Sequence, residues 1–333
     1  MQRENTQVIL ARRPEGSVRA EDFEIRRGPV DAPEEGEVLV ETMFVSLDPA
    51  MRGWMRDVPS YVPPVGIGEV MRAGAVGRVL ASRHPDFAEG DHVTGLLGVQ
   101  RYARVSTRGL HAIDPELAPL SAYLGVLGAP GLTAYFGLLD VGALKAGETV
   151  LVSGAAGAVG SVVGQLAKLH GARAVGIAGG PEKCRHLVEE LGFDAAIDYK
   201  REDVAARIKA TCPERVDVYF DNVGGELLDI ALTRLAMRGR VVICGAISQY
   251  NNMESMRGPA NYMALLVQRG RMEGFVVFDY AKRYGEAFAA MGPRLARGEL
   301  KYRETIVLGL ENFVPAFNRL FTGEKLGKLV LKA

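Results

Sequence analysis

Cysteine is scarce in this chain: three in 333 residues, Cys184, Cys212 and Cys244, and none in the first 128. Three scattered thiols build no disulfide framework, which fits a reducing compartment, and each suits a small buried apolar role. The first 128 residues therefore offer no thiolate for a catalytic zinc, and their histidines, His84, His92 and His111, lack ligand spacing, so no metal is expected. Net charge is missing as well. Forty basic residues balance forty acidic ones, so no field over the whole surface attracts nucleic acid or an anionic membrane. No uncharged run is long enough to span a bilayer, and the opening MQRENTQ has no apolar stretch suited to export. These absences describe a soluble, cytoplasmic protein. There is no repeat, low-complexity tract or long linker, and no plausible Ser-His-Asp or Cys-His arrangement: Ser153 adjoins a glycine turn, but its sequence is not a nucleophile elbow.

What is present is apolar residue in quantity, 48% of a chain longer than one core comfortably fills, so two domains are expected. The most informative stretch is TVLVSGAAGAVG, residues 149–160, where an apolar strand runs into Gly154, Gly157 and Gly160 before a helical pattern begins. A pyrophosphate needs backbone N–H groups at close range; side chains block that approach, and a following helix N-terminus adds partial positive charge. The dinucleotide fingerprint G-x-G-x-x-G is incomplete here, with Ala155 at its first position, so a glycine turn that merely packs a helix on a sheet stays open.

From 149 to about 280, β-branched runs alternate with helical segments, the pattern of a doubly wound parallel sheet. The strand candidates are 149–154, 173–179, 195–199, 216–222, 240–246 and 272–278, with helices over 161–171 and 181–192. Residues 1–128 read instead as a β-barrel or sandwich, with alternating segments such as 37–47 and 92–105 between Pro, Gly and Asp-rich turns. The tail is strand-like again at 302–310 and 328–333, where it can return to the first domain.

An NAD site places an acid about 20 residues past the glycines, at the end of the second strand, to meet the ribose hydroxyls. This strand ends Ala178-Gly179-Gly180, and the next charges are Glu182 and Lys183. Small residues leave room for a 2′-phosphate, with Lys183 as charged donor and the Tyr199 hydroxyl beside it, which indicates NADP(H). The alternatives are a solvated Lys183 and a packed aromatic at Tyr199.

The turn 155–160 and the segments SLDPAMRGWM (46–55), GVLGAPGLTAYFGLL (125–139), DNVGGE (221–226), CGAISQYN (244–251), RMEGFVV (271–277) and LGKLVLKA (326–333) together resemble the zinc-independent medium-chain reductases. The likeness is to their leukotriene B4 dehydrogenase, prostaglandin reductase and curcumin reductase group, which reduces alkenal and enone double bonds. That resemblance implies an α/β chain: a GroES-like β-barrel catalytic domain over 1–128, completed by 301–333, and a Rossmann NADP-binding domain over 129–300, with the site in the cleft between them. It also implies that Gly157, Ala158, Val159 and Gly160 meet the pyrophosphate and that Lys183 and Tyr199 bind the 2′-phosphate. Asn222, the segment Cys244, Gly245, Ala246, Ile247, Ser248, Gln249 and Tyr250, and Phe275, Val276 and Val277 would line the ribose and nicotinamide. Two positions depart from the family pattern. Ala50 stands where Tyr is usual, which removes a polar wall from the substrate region, and Lys325 stands where Asn is usual, which would offer the cofactor a charge instead of an amide.

With no metal, the chemistry implied is hydride transfer to the β-carbon of an α,β-unsaturated ketone or aldehyde, the charge moving onto the carbonyl oxygen. Tyr250 is the candidate catalytic residue, orienting and stabilising that oxygen; a pocket-wall role is the alternative. Tyr262 is a weaker substrate-wall candidate, since YMALLVQ also suits an amphipathic helix. A zinc-free NADPH quinone or carbonyl reductase would share every nucleotide-site residue, and a non-catalytic NADPH-binding redox sensor is the reading from another class. The apolar run 272–278 suggests a homodimer built by pairing with its own copy.

Overall fold

The computed structural model describes residues 3–333, the side chain of Met253 apart. The chain divides into two compact units: residues up to Leu124 together with Glu304–Ala333, and Gly125–Arg303.

In the first unit, short alternating runs pair mainly antiparallel, as half-buried strands do. Strands β1 (Glu4–Leu10) and β2 (Phe23–Pro29) form a two-stranded sheet, while β3 (Glu37–Ser46), β4 (Ala75–Ser82), β5 (His92–Gly95), β6 (Tyr102–Ser106) and β7 (His111–Ala112) belong to a larger one. The ten-residue β3 is its spine, pairing with β4 along most of its length and with β6 through its first half. The run 92–105, expected as one strand, is two. Pairing of β5 ends at Gly95, and the chain turns through Gly98 at φ +76°, a conformation that costs glycine little.

The second unit holds β8 (Thr149–Ser153), β9 (Arg173–Ala178), β10 (Ala195–Asp198), β11 (Val216–Asp221), β12 (Leu235–Ile243) and β13 (Arg271–Gly274). All six are parallel, in the order β10-β9-β8-β11-β12-β13. Strand β8 is buried at all five positions and β11 at all but Asp217, which is what sheet faces covered by crossover helices require. Leu151, Val175, Ile177, Ile197, Tyr219 and Val241 bring five adjacent strands into one apolar cluster, each side chain contributing roughly 2 kcal/mol by burial. Strand order reverses between β8 and β11, because β8 leads to β9 and β10 on one side while β11 leads to β12 and β13 on the other. In an open parallel sheet this reversal leaves a crevice at the carboxyl ends of the strands, where ligands bind.

The run 272–278 is not one strand. Ladder pairing stops at Ile243 opposite Gly274, and Val277–Arg283 winds into a 3-10 helix. Phe275 leaves the sheet to pack on Gly137, where an added Cβ would stand 2.5 Å from the phenyl ring. The helix expected over 181–192 is also divided, into an α-helix at Pro181–Arg185 and a wider π turn at His186–Glu190.

The tail strands β14 (Glu304–Leu308) and β15 (Lys328–Lys332) lie in the first unit, β15 pairing antiparallel with β3 and parallel with β14. Between them, helix Phe313–Thr322 buries Phe313, Ala316, Phe317 and Leu320, an i, i+3, i+4, i+7 stripe, in that unit's core. Among the described residues no helix is long and apolar enough to cross a membrane.

Candidate functional site

At the strand-order reversal, β8 delivers the chain into the glycine turn. Gly154 takes φ +59°, and the Gly157 N–H closes the turn onto the Gly154 carbonyl at 2.9 Å. Gly160 opens helix Gly160–Leu169; an added Cβ would lie 2.6 Å from Gly154 O and 2.7 Å from Ala155 Cα, so any side chain there pries the turn apart. Ala155, the departure from the fingerprint, is fully buried and gives its N–H to Ile177 O at 3.0 Å, which pins the turn to β9. Ala158, Val159 and Gly160 thus enter the first turn of a ten-residue helix, where N–H groups have no partner within the helix and the dipole favours an anion.

One strand over, β9 ends at Gly179-Gly180 with no acid. An added Cβ on Gly179 would stand 2.8 Å from the Tyr199 ring and 3.0 Å from Lys200 Cε, so both side chains lie over that glycine. Lys183 is only partly exposed, and its pKa is lowered by burial first and then by the Lys200 cation. The nearby acid Asp198 braces the backbone instead, its Oδ1 accepting from Gly180 N at 2.8 Å and Lys200 N at 3.1 Å. Two cations and a phenol therefore gather on a glycine pair. Lys200 is the residue that sequence reasoning passes over; its only signal was its place next to Tyr199.

On the far side of the reversal, the turn after β11 holds Asn222. Its backbone N–H donates to Ser153 Oγ at 2.9 Å and its side-chain amide to Ser153 O at 2.7 Å, which commits the amide nitrogen and leaves Oδ1 as the acceptor. Gly224 and Gly225 follow at φ +70° and +58°, and the segment 244–250 lies against them. An added Cβ on Gly224 would meet Ala246 Cβ at 2.9 Å, and one on Gly225 would meet Ser248 Oγ at 3.1 Å. Ile247 N donates to Asn222 O, and Ser248 uses both its N–H and its hydroxyl on Val223 O. Gln249 closes the segment by donating its N–H to Ala246 O at 2.8 Å. Cys244 is half-buried, and burial first, then the Asp221 carboxylate, push its thiol up to about 12, which keeps it protonated at neutral pH.

The Tyr250 hydroxyl accepts the Ala246 N–H at 3.1 Å and lies 2.7 Å from where a Cβ on Gly245 would be. An amide pointed at the phenol oxygen fixes its position and polarises its O–H as a donor. Of the next expected stretch, Phe275 packs on Gly137, while Val276 O and Val277 O accept from Asp279 N and the Tyr284 hydroxyl, each at 3.1 Å. Tyr262 is 58% exposed, just before helix Met263–Gln268, an amphipathic helix whose Ala264 and Leu265 pack half-buried against the core while Met263, Leu266 and Val267 stay exposed.

Ala50 and Lys325 belong to the first unit. Ala50 precedes the one-turn helix Met51–Trp54 and packs on that unit's core. Lys325 donates to Gly327 O at 3.1 Å, within its own turn. Close to it in sequence is the buried Lys328, whose Nζ donates to Leu47 O at 2.8 Å and Asp48 at 2.9 Å, joining the segment that carries Ala50 to the motif that follows Lys325.

A family model described as the N-terminal domain of oxidoreductase matches residues 6–113, and one described as zinc-binding dehydrogenase matches residues 158–292. The chain is 44% identical to the NADPH-dependent curcumin reductase of Escherichia coli (strain K12), over 98% of its own length and 96% of that protein. It is 41% identical to the NADP(+)-dependent 2-alkenal reductase of Nicotiana tabacum, over 98% and 97%. The chain belongs to the zinc-independent medium-chain dehydrogenase/reductases, in their alkenal, curcumin and prostaglandin reductase group. The crystal structure of CurA in complex with NADPH from Vibrio vulnificus superposes with a TM-score of 0.93 at 44% identity, covering 98% of this chain and 99% of that one. The residues here fit a phosphorylated nicotinamide dinucleotide on their own geometry. A Cβ at position 160 would fill the phosphate cradle, and Tyr199 and Lys200 lie over Gly179 with Lys183 near Lys200, while the nearby Asp198 Oδ1 is taken up by backbone N–H groups. The zinc of the second family description has no counterpart in residue placement: among the described residues no three His, Cys, Asp or Glu side chains stand together as a metal site.

Proposed function

We propose that this protein is an NADPH-dependent reductase of the carbon–carbon double bond of α,β-unsaturated ketones and aldehydes. The observation that carries this reading is the Tyr250 hydroxyl, held by the Ala246 N–H at the carboxyl end of β12, beside the crevice that the strand reversal opens. Relatives named for curcumin and alkenal reduction, more than 40% identical over nearly the whole chain, supply the substrate class.

Gly157 closes the turn and the amides of Ala158 to Gly160 hold the pyrophosphate beside it, Lys183, Lys200 and Tyr199 hold the 2′-phosphate, and Asn222 Oδ1 accepts from a ribose hydroxyl. The backbone of 244–250 and of Phe275 to Val277 lines the nicotinamide. NADPH, when bound, supplies hydride to the β-carbon of the conjugated carbonyl. Tyr250 donates its O–H to the substrate carbonyl oxygen, which carries the developing negative charge, so the hydrogen bond strengthens as that charge grows. The role of Tyr250 is orientation and charge stabilisation, with the α-carbon proton coming from solvent. Ala50 and Tyr262 serve as substrate walls, Ala50 leaving more room than the family's usual Tyr. Lys325, which donates to Gly327 O, would offer the cofactor a charge where the family usually has the amide of Asn.

The protein acts as a homodimer in the cytoplasm, a compartment that suits three unpaired cysteines. Strand β13 ends the six-stranded sheet, is exposed at all four positions, and has Met263, Leu266 and Val267 exposed beside it, so pairing with its own copy would cover both the edge and the apolar patch. Light scattering at twice 35.9 kDa supports the dimer, and a single species at the monomer mass of 35.9 kDa rejects it.

NADPH oxidation measured with an enal, an enone, a quinone and a simple ketone tests the activity. Turnover of the enal and enone far above the other two is expected. Preference for the quinone or ketone makes the protein a quinone or carbonyl reductase, and no turnover with tight NADPH binding makes it a sensor.

A further inference from the structure

Beneath the turn that carries Asn222 lies a buried carboxylate that no step above uses. Asp221, 0% exposed at the end of β11, accepts four hydrogen bonds on Oδ1: Ser153 Oγ at 2.8 Å, the Tyr219 hydroxyl at 2.9 Å, and the N–H groups of Val223 and Gly224 at 3.0 Å each. Its other oxygen, Oδ2, is buried and has no hydrogen-bond partner among the described residues. A carboxylate in that setting is costly to bury and persists only where its donors compensate.

The donors divide into two groups. Ser153 and Tyr219 come from the strands below, β8 and β11; Val223 and Gly224 come from the turn above. Burial, followed by the nearby carboxylate, raises the Tyr219 pKa well above the ordinary phenol value, so Tyr219 stays a donor throughout the working range. The backbone carbonyl of Asp221 continues the network sideways, accepting from Cys244 N at 2.9 Å and Gly245 N at 3.1 Å. Ser153 completes it, since its Oγ and its carbonyl fix both nitrogens of Asn222. One acid therefore joins β8, the Asn222 turn and the segment that ends in Tyr250.

We infer that Asp221, with Ser153 and Tyr219 as its donors, is a positioning device for the nicotinamide half of the coenzyme: it sets Asn222 and Tyr250 against the reacting groups without touching them. The inference rests on the NADPH reading of the same crevice. It separates the coenzyme into two halves, because Lys183, Tyr199, Lys200 and the glycine turn at 157–160 make none of these hydrogen bonds to Asp221.

The test uses two ligands on the intact protein: NADPH, and 2′,5′-ADP, which carries the adenosine phosphates but no nicotinamide. Binding of each is measured by calorimetry, and kcat and KM are measured with an enone, for the parent and for Asp221→Asn, Ser153→Ala and Tyr219→Phe. Asp221→Asn is expected to weaken NADPH by about ten- to a hundredfold and to lower kcat, the range for a buried polar partner lost, while 2′,5′-ADP stays within about twofold. Ser153→Ala and Tyr219→Phe each remove one donor, should fold where Asp221→Asn fails, and should show the same selective loss at roughly three- to tenfold. Parallel weakening of both ligands in all folded variants would mean a structural role only and overturns the inference, as does unchanged NADPH affinity and kcat. Failure of the parent to bind 2′,5′-ADP overturns the NADPH reading itself, and the positioning role falls with it.

Discussion

At the ends of β9 and β10, the polar groups of the crevice stand close to water: Lys183, Lys200 and a Tyr199 that is 46% exposed, around two glycines. At the ends of β11 and β12 they are buried and spend their hydrogen bonds on one another through Asp221, Ser153 and Tyr219. The first arrangement recognises charge and tolerates small displacements, because a phosphate accepts from many directions. The second fixes geometry and tolerates few, because its buried groups are bonded to one another in a single network. On the proposed reading, the choice between NADPH and NADH belongs to the first end, and the placing of the nicotinamide and the reacting groups belongs to the second.

Tyr250→Phe probes that division with the largest effect: kcat should fall roughly ten- to a thousandfold, the range for a lost oxyanion donor, with NADPH affinity changed less than about twofold. A loss that falls on NADPH binding instead would break the comparison. Next come Lys183→Ala and Lys200→Ala, each expected to weaken NADPH by roughly tenfold or more with NADH unaffected, as removal of a charge-assisted hydrogen bond predicts. Isothermal titration with both coenzymes checks this, and equal losses would show that neither lysine meets the 2′-phosphate.

Gly160→Ala should act on both ends at once, since its Cβ meets Gly154 O at 2.6 Å. NADPH and NADH should weaken alike, and a chemical melt should show about 1–3 kcal/mol lost to overpacking. The smallest effect concerns Cys244. Its folded pKa is raised to about 12, so the stability it contributes as a neutral thiol is fully present below the ordinary value of 9.0 and is lost as pH rises from there toward 12. Iodoacetamide at pH 8 should label it slowly in the folded protein, and rapid labelling would contradict the raised thiol pKa.

Much of this was legible in the sequence, and the rest was hidden for physical reasons. The runs 149–154 and 216–222 read as buried parallel strands because apolar residues fill their middles, and Gly160 read as a turn glycine, which fits the collision an added Cβ there would make with Gly154 and Ala155. Lys200 stayed hidden because only the pairing of β10 with β9 brings it over Gly179. Asp221 looked like the polar end of a strand, since its partner Ser153 lies 68 residues away. Phe275 left the last strand for Gly137, a contact across more than a hundred residues that no local periodicity encodes. Register, burial and pairing at long range decided each of these.

The most direct test follows one hydrogen. NADPH carrying deuterium at C4, on the transferable face, is given to the enzyme with a conjugated enone, and the product is examined by NMR. Deuterium on the β-carbon of a saturated ketone is the result expected. Deuterium on the carbinol carbon of an alcohol whose double bond is intact would contradict the account.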